Sequence, residues 1–341
     1  MVSNRQVIFT KEPTGMVVAG EHLQVHESVI DLETPLERDE YLLKTLMVSI
    51  DPYMRLRMAG GFNAFKLDKP VNGFTMSVVI KSNNANFKEG DLVLGQYAAV
   101  YEEYTKVTRD LSQFYTLCND SKSTGLPMSS RLSVLGVGGL TAYVGLLKYG
   151  HPKANEMLYV SGAASNVGQI AGQIGKILGL RVVGSAGSDE KVQYLKDIGF
   201  DDAFNYKTID LDKGLTKHCP NGIDIYFDNV GGSTIETVID HSNVGGRIIV
   251  CGAISQYNNE KSDGVRNLLK LIPQRITMSG FSVSDSMDMM PEYTEKMTSW
   301  LLQGKIQHHE TIANGIEKVP EALVDVLTGK NIGKQLVKFD L

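Results

Sequence analysis

The chain has 341 residues, 42% of them hydrophobic and 21% charged, with a formal net charge of -5 and an isoelectric point near 5.8. The length suits two domains better than one, the composition suits a packed globular protein, and the acidic balance argues against a general nucleic-acid binder, which needs a basic face to meet phosphates. No apolar run reaches the roughly 18–20 residues that cross a bilayer, and the opening Met1 to Gly15 lacks the basic and apolar segments of a secretory signal, so a cytoplasmic protein with no membrane partner is expected.

The first third reads as short strands broken by turns. Leu42 to Ile50 is an apolar, partly β-branched run that stops at Asp51-Pro52, where proline halts regular structure. Phe87 to Gly95 reads as a turn feeding a strand. Strands at this spacing, with few helical stripes between them, predict a small barrel or folded sheet. From about Ser130 the rhythm changes: Leu140 to Leu147 reads as helix, and strands then alternate with helices. The predicted strands are Met157–Ser161, Leu180–Gly184, Ile223–Phe227, Arg247–Cys251 and Ile276–Phe281. Between the first two, Val167, Ile170, Ile174 and Ile177 recur at helical spacing, while Ala171, Gly172 and Gly175 are small enough to let that helix lie close to a sheet. Such alternation predicts an α/β fold with a parallel, doubly wound sheet. Gly333 to Phe339 reads as a last strand, expected to return to the first domain.

Met157 to Gly168 has the pattern of a strand, a tight turn and a helix start. Backbone amides at a helix N-terminus, aided by the helix dipole, hold a pyrophosphate, and small residues let it approach. Of the three glycine positions in a GxGxxG turn, Ala163 and Ser165 fill the first two and only Gly168 is glycine, so the motif is weak outside its strand–helix setting. The following strand discriminates between cofactors. An NAD site usually carries a carboxylate at its end to hold the ribose hydroxyls. Here Arg181 to Gly187 ends in small uncharged residues, followed by Ser188-Asp189-Glu190-Lys191. Ser188 fits a helix N-cap, the two acids fit its first turn, and Lys191 is placed to meet an adenosine 2′-phosphate, so the expected cofactor is NADPH. The alternative for Lys191 is an ordinary solvated lysine.

Several segments together carry a family likeness: Asp51-Pro-Tyr-Met-Arg55, Leu140-Thr-Ala-Tyr143, Val160-Ser-Gly-Ala-Ala-Ser-Asn-Val-Gly168, Gly184-Ser-Ala-Gly-Ser-Asp-Glu-Lys191, Phe204-Asn-Tyr-Lys207, Asp228-Asn-Val-Gly-Gly232 and Cys251-Gly-Ala-Ile-Ser-Gln-Tyr-Asn258. In this order and spacing, from about residue 40 onward, they resemble the prostaglandin reductase and alkenal double-bond reductase branch of the zinc-independent medium-chain dehydrogenase/reductase superfamily. The resemblance implies a GroES-like β-rich catalytic domain over residues 1–130, with 310–341 returning to it, and an NADP-binding Rossmann domain over 131–309. It assigns Ser165, Asn166, Val167 and Gly168 to the pyrophosphate turn, and Lys191 and Tyr206 to the 2′-phosphate of NADPH. Asn229 would line the cofactor groove. Cys251, Gly252, Ala253, Ile254, Ser255 and Tyr257, with Phe281, Ser282 and Val283, would lie along the nicotinamide half, and Asn331 would close the site. A homodimer is also implied. The chain departs from the family pattern at Ser165, where glycine is common, at Val137-Gly138, and at Gly73-Phe-Thr-Met-Ser77, which bears on pocket shape.

Metal ligands are scarce. Cys118, Cys219 and Cys251 are far apart with no CxxC, and the adjacent pair His308-His309 stands in a polar stretch without cysteine, so no metal site is expected. Charge on a reacting carbonyl must then be met by hydrogen bonds. Tyr257 is the first candidate donor, beyond the carboxyl end of a parallel strand, and Tyr53, just past Asp51-Pro52, the second. Both have the alternative of simply packing. Cys251 lacks a neighbouring histidine base and reads as a small groove-lining residue. The expected reaction is NADPH-dependent reduction of the C=C bond of an α,β-unsaturated aldehyde or ketone. Carbonyl or quinone reduction, and a non-catalytic NADPH sensor, are the alternatives.

Overall fold

A computed structural model describes residues 1–61, 63–119 and 124–340. In chain order the first strands and helix are β1 (Val2–Phe9), β2 (Leu23–Ile30), β3 (Tyr41–Ile50), α1 (Tyr53–Met58), β4 (Lys69–Pro70), β5 (Asn72–Ser82), β6 (Leu92–Val100), β7 (Tyr104–Val107) and β8 (Tyr115–Leu117). There follow α2 (Val137–Val144), β9 (Met157–Val160), α3 (Asn166–Ile177), β10 (Arg181–Ala186), α4 (Asp189–Asp197), β11 (Asp202–Asn205), α5 (Leu211–His218), β12 (Ile223–Asp228), α6 (Ser233–His241), β13 (Ser242–Val250), α7 (Leu271–Gln274), β14 (Thr277–Gly280) and α8 (Met290–Leu302). The chain ends in β15 (Glu310–Asn314), α9 (Val319–Leu327) and β16 (Lys334–Lys338).

These elements fall into two compact units. One holds Met1–Ser133, Glu310–Asn331 and Gln335–Leu341, and the other Val134–His309 with Ile332–Lys334. In the first unit a three-stranded sheet of order β2-β1-β4 accompanies a seven-stranded sheet of order β15-β16-β3-β5-β6-β8, with β7 also paired to β3. The pairs of β3 with β5, β7 and β16, and of β5 with β6, are antiparallel. Val48, Ile50, Met54, Met58, Leu323 and Val337 bury one core of this unit, bringing α1 and α9 against β3 and β16.

The second unit is a six-stranded sheet of order β11-β10-β9-β12-β13-β14, parallel at every described pairing. The order reverses between β9 and β12, which is where a doubly wound sheet opens a crevice at the carboxyl ends of its strands. All four residues of β9 are buried, as a central parallel strand covered on both faces requires. On α3, Ile170 and Ile174 are fully buried, and Gly172 faces the Phe200 ring so closely that the ring leaves no room for a side chain.

Two local differences from the sequence-based expectation have physical causes. The helix expected over Leu140–Leu147 begins earlier, at Val137, and widens into a π turn over Gly145–Gly150, where the rings of Phe227 and Phe281 lie against Gly145. The strand expected over Arg247–Cys251 reaches back to Ser242, because its pairing with β12 extends to Ile223 across a register shift, carrying Gly245 and Gly246 into the sheet despite their low strand propensity.

Candidate functional site

The turn after β9 closes on itself before α3 begins. Ser165 is the N-cap of α3, its hydroxyl accepting from the Gly168 amide at 3.1 Å, while the Ser165 amide donates to the Gly162 carbonyl at 3.0 Å. The amides of Asn166 and Val167, at the head of the helix, have no partner within it. Asn166 Oδ1 is buried and meets no hydrogen-bond donor. A Cβ on Gly168 would stand 2.6 Å from the Gly162 carbonyl oxygen and 2.7 Å from Ala163 backbone atoms, so glycine is what lets the helix start press against the turn. The turn is also clipped from behind: Gly333 donates to the Ala164 carbonyl at 2.7 Å and forms a parallel bridge with Ser165.

At the end of β10 the sequence-based cap is in place, with Ser188 accepting from the Lys191 amide at 3.3 Å. Lys191 is buried, at 9% exposure, and its ammonium is pushed below the ordinary lysine value, first by burial and then by the nearby Lys207. Tyr206, about half exposed, and Lys207 both lie over Gly187. Asn205 donates to Asp189 at 2.8 Å and so ties the end of β11 to the head of α4. Two cations and a phenol thus surround the point where β10 ends, with the nearby Asp189 carboxylate engaged by Asn205.

At the end of β12 the organising residue is one the sequence reading did not single out. Asp228 is fully buried, and its Oδ1 accepts from the Tyr226 hydroxyl at 2.6 Å, the Val230 and Gly231 amides at 2.9 Å each, and the Ser161 hydroxyl at 3.3 Å. Its Oδ2 is buried without a partner, and burial raises the carboxyl above the usual range against the pull of those donors. Its carbonyl accepts from the Cys251 and Gly252 amides at 2.9 and 3.0 Å. Asn229 spans the crevice between β9 and β12, its amide reaching Ser161 Oγ at 3.1 Å and its side chain the Ser161 carbonyl at 2.8 Å. A carboxylate followed two residues on by a turn amide is an Asx-turn signal, legible in Asp228-Asn-Val-Gly-Gly232.

The segment after β13 lies along this loop. Ile254 donates to the Asn229 carbonyl at 3.3 Å, and Ser255 reaches the Val230 carbonyl by its amide at 3.1 Å and its hydroxyl at 2.7 Å. Gly231, at φ 72°, lies so close to Ala253 that a Cβ there would stand 2.6 Å from the Ala253 Cβ. The Tyr257 hydroxyl accepts from the Ala253 amide at 3.2 Å, which leaves its own proton for donation. Burial, more than the neighbouring Cys251 and Asp228, raises that phenol, so it stays protonated at neutral pH. Burial also pushes the Cys251 thiol up to about 12, making it inert as a nucleophile.

Of the remaining expected residues, Phe281 follows β14 and stacks on Tyr149 at 5.0 Å, and Ser282 precedes the helical turn that starts at Val283. Asn331 belongs to the first unit, as does Tyr53 on α1. The Tyr53 hydroxyl is buried without a well-formed hydrogen bond, although the Arg57 guanidinium is near enough to be stabilised by it. Burial, followed by Asp51, holds Tyr53 well above the ordinary phenol value. Within the second unit, then, Ser165–Gly168, Asn229 and Cys251–Tyr257 gather at the crevice, with Lys191 and Tyr206 at the end of β10.

These features fit an anionic dinucleotide: unpartnered helix-head amides, an orphaned Asn166 oxygen, a turn closed tightly by Gly168, and a buried cation where an NAD site has a carboxylate. They do not fit zinc, because among the described residues no three His, Cys, Asp or Glu side chains converge.

A family model described as zinc-binding dehydrogenase matches residues 166–302, and one described as the N-terminal domain of oxidoreductase matches residues 5–110. The chain is 42% identical to a 2-alkenal reductase (NADP(+)-dependent) of Nicotiana tabacum, over 98% of this chain and 97% of that one. It is 38% identical to prostaglandin reductase 1 of Oryctolagus cuniculus, over 92% and 90%. The crystal structure of CurA in complex with NADPH from Vibrio vulnificus superposes with a TM-score of 0.90 at 36% identity, covering 99% of each chain. The chain belongs to the prostaglandin reductase and alkenal double-bond reductase branch of the medium-chain dehydrogenase/reductase superfamily.

Proposed function

We propose that this protein reduces the C=C bond of α,β-unsaturated aldehydes and ketones with NADPH. The observation that carries the reading is the buried Lys191 at the end of β10, in a chain 42% identical over nearly its whole length to an NADP-dependent 2-alkenal reductase.

The turn of Ser165, Asn166, Val167 and Gly168 is assigned to the pyrophosphate, with the Asn166 and Val167 amides as its donors, and Lys191 and Tyr206 to the 2′-phosphate. Asn229, with Cys251, Gly252, Ala253, Ile254, Ser255 and Tyr257, is assigned to the nicotinamide half, joined by Phe281, Ser282, Val283 and Asn331. When bound, NADPH supplies the hydride that the β-carbon of the substrate accepts. Tyr257 would hydrogen-bond through its free proton to the carbonyl oxygen, where enolate charge develops, and a proton from Tyr257 or from water would then reach the α-carbon to complete the saturated carbonyl; a donor already fixed by the Ala253 amide needs little reorganisation. Tyr53 is assigned as a second donor; its raised pKa keeps its proton in place. These phenols take the part that zinc plays elsewhere in the superfamily. The first unit is read as the catalytic domain and the second as the NADP-binding domain. The family likeness also supports a cytoplasmic homodimer, which size-exclusion chromatography with light scattering tests.

The experiment is NADPH oxidation with a medium-chain enal, run beside NADH, with the product identified. A saturated aldehyde and strong preference for NADPH are expected. An allylic alcohol points to carbonyl reduction instead, and tight NADPH binding with no turnover on enals, enones or quinones points to a sensor. Tyr257→Phe should lower kcat by about a hundredfold or more, the usual effect of removing one oxyanion donor, with a much smaller change in NADPH affinity because the ring along the nicotinamide half is kept.

A further inference from the structure

One residue of the first unit has a backbone its side chain does not favour. Tyr97, within β6, has φ of 50°, in the left-handed region that bulky residues rarely enter. The strand register accounts for it. Gly73 of β5 pairs with Ala99 and Thr75 with Gly95, so the single residue Phe74 faces three, Gln96, Tyr97 and Ala98. The surplus closes tightly, since a Cβ on Gly95 would stand 2.5 Å from both Ala99 Cβ and Thr75 Oγ1. Bulges of this kind recur beside active sites, where they re-aim a side chain.

The re-aimed side chain here is the Tyr97 ring. It meets the Phe74 ring with centroids 4.8 Å apart and planes at 61°, Phe74 being buried and Tyr97 half-buried. Asn72, two residues before Phe74, is held by Arg57, which donates to its carbonyl at 2.7 Å and also to its side-chain oxygen. Arg57 lies on α1 with Tyr53. Through Asn72 and Arg57, the strand that carries Phe74 is tied to α1, which carries the tyrosine assigned to the substrate carbonyl. Glycine or asparagine would accept this φ without strain, and strain of this kind at a bulky residue points to a role for its ring.

We propose that Tyr97 is a specificity-determining residue, a flat shelf braced edge-on by Phe74 that favours unsaturated carbonyl substrates whose conjugation continues past the β-carbon over those with short alkyl substituents. This rests on the reductase reading above. A planar conjugated group stacks on an aromatic face, whereas a methyl group at the same position makes only a small dispersion contact.

The test compares kcat/KM for cinnamaldehyde and crotonaldehyde, which differ only in bearing phenyl or methyl on the β-carbon, in the wild type, Tyr97→Gly and Phe74→Leu. Tyr97→Gly should lower the cinnamaldehyde-to-crotonaldehyde ratio by about five- to tenfold, the worth of one aromatic pair. Its melting temperature should change little, because relief of the backbone strain offsets the lost contact with Phe74. Phe74→Leu should lower the ratio in the same direction. An unchanged ratio, or equal loss on both substrates, overturns the proposal. Binding of cinnamaldehyde to the NADP-loaded enzyme, followed by its ultraviolet absorbance, separates this from the parent reading. If the wild type turns over neither aldehyde, the reductase reading falls; the shelf then stands if binding weakens in Tyr97→Gly and falls if it does not.

Discussion

Replacing Gly168 by alanine adds one methyl group where the structure leaves none to spare. It would stand 2.6–2.7 Å from the Gly162 carbonyl and the Ala163 backbone, against 3.4 Å for an ordinary contact. These are backbone atoms of a closed turn, so the helix head must back away, by about 0.8 Å, at the roughly 1–3 kcal/mol typical of overpacking. In a unit of this size that lowers the melting temperature by about 2–4 °C per kcal/mol. The same shift draws the Asn166 and Val167 amides off a bound pyrophosphate, and losing a hydrogen bond to a charged group, about 1.5–3 kcal/mol, weakens NADPH binding by roughly 10–150-fold. Gly172→Ala is the control. Its methyl group would enter the Phe200 ring, a turn further along the same helix, so it should destabilise at least as much yet leave NADPH affinity within about twofold. Nicotinamide fluorescence titrations and thermal melts of both variants decide the matter. Wild-type affinity in Gly168→Ala despite a lowered melt, or equal loss of affinity in both variants, would refute the assignment of this turn to the pyrophosphate.

Lys191→Ala should raise the Kd for NADPH by about 10–100-fold and leave that for NADH nearly unchanged, since only the former carries the 2′-phosphate. Cys219 and Cys251, both pushed up to about 12 by burial from an ordinary 9.0, hold their protons in the fold long after the unfolded thiols ionise. Their contribution to stability is thus complete below pH 9 and lost as pH climbs towards 12. Melts at rising pH should show this, flattened in Cys251→Ala, and rapid alkylation of Cys251 in the native protein near pH 8 would contradict it.

The sequence showed most where neighbours along the chain decide the structure. Alternating strands and helices beyond Ser130 gave the doubly wound sheet, and Ser188 was recognisable as a cap because capping is settled within three residues. What escaped depended on distant partners. Nothing local to Tyr97 announces a left-handed tyrosine; the surplus exists only relative to the register of β5. Asp228 reads as the first residue of a glycine turn, and its role as a hub needs Ser161 and Tyr226 brought to one oxygen. The π turn after Val144 likewise answers to Phe227 and Phe281, far along the chain.

The clip on the turn after β9 has a consequence for biosynthesis. Ile332–Lys334 belongs with the second unit although the residues on either side belong with the first, and Gly333 holds Ala164 and Ser165. A ribosome lays down every strand of the six-stranded sheet before it reaches Gly333. The nascent sheet must wait with its glycine turn unfastened, a contact of very long sequence separation and therefore late to form. A nascent chain arrested just before residue 332 should keep the sheet and expose the turn to proteolysis, and its maturation should end with this one strap.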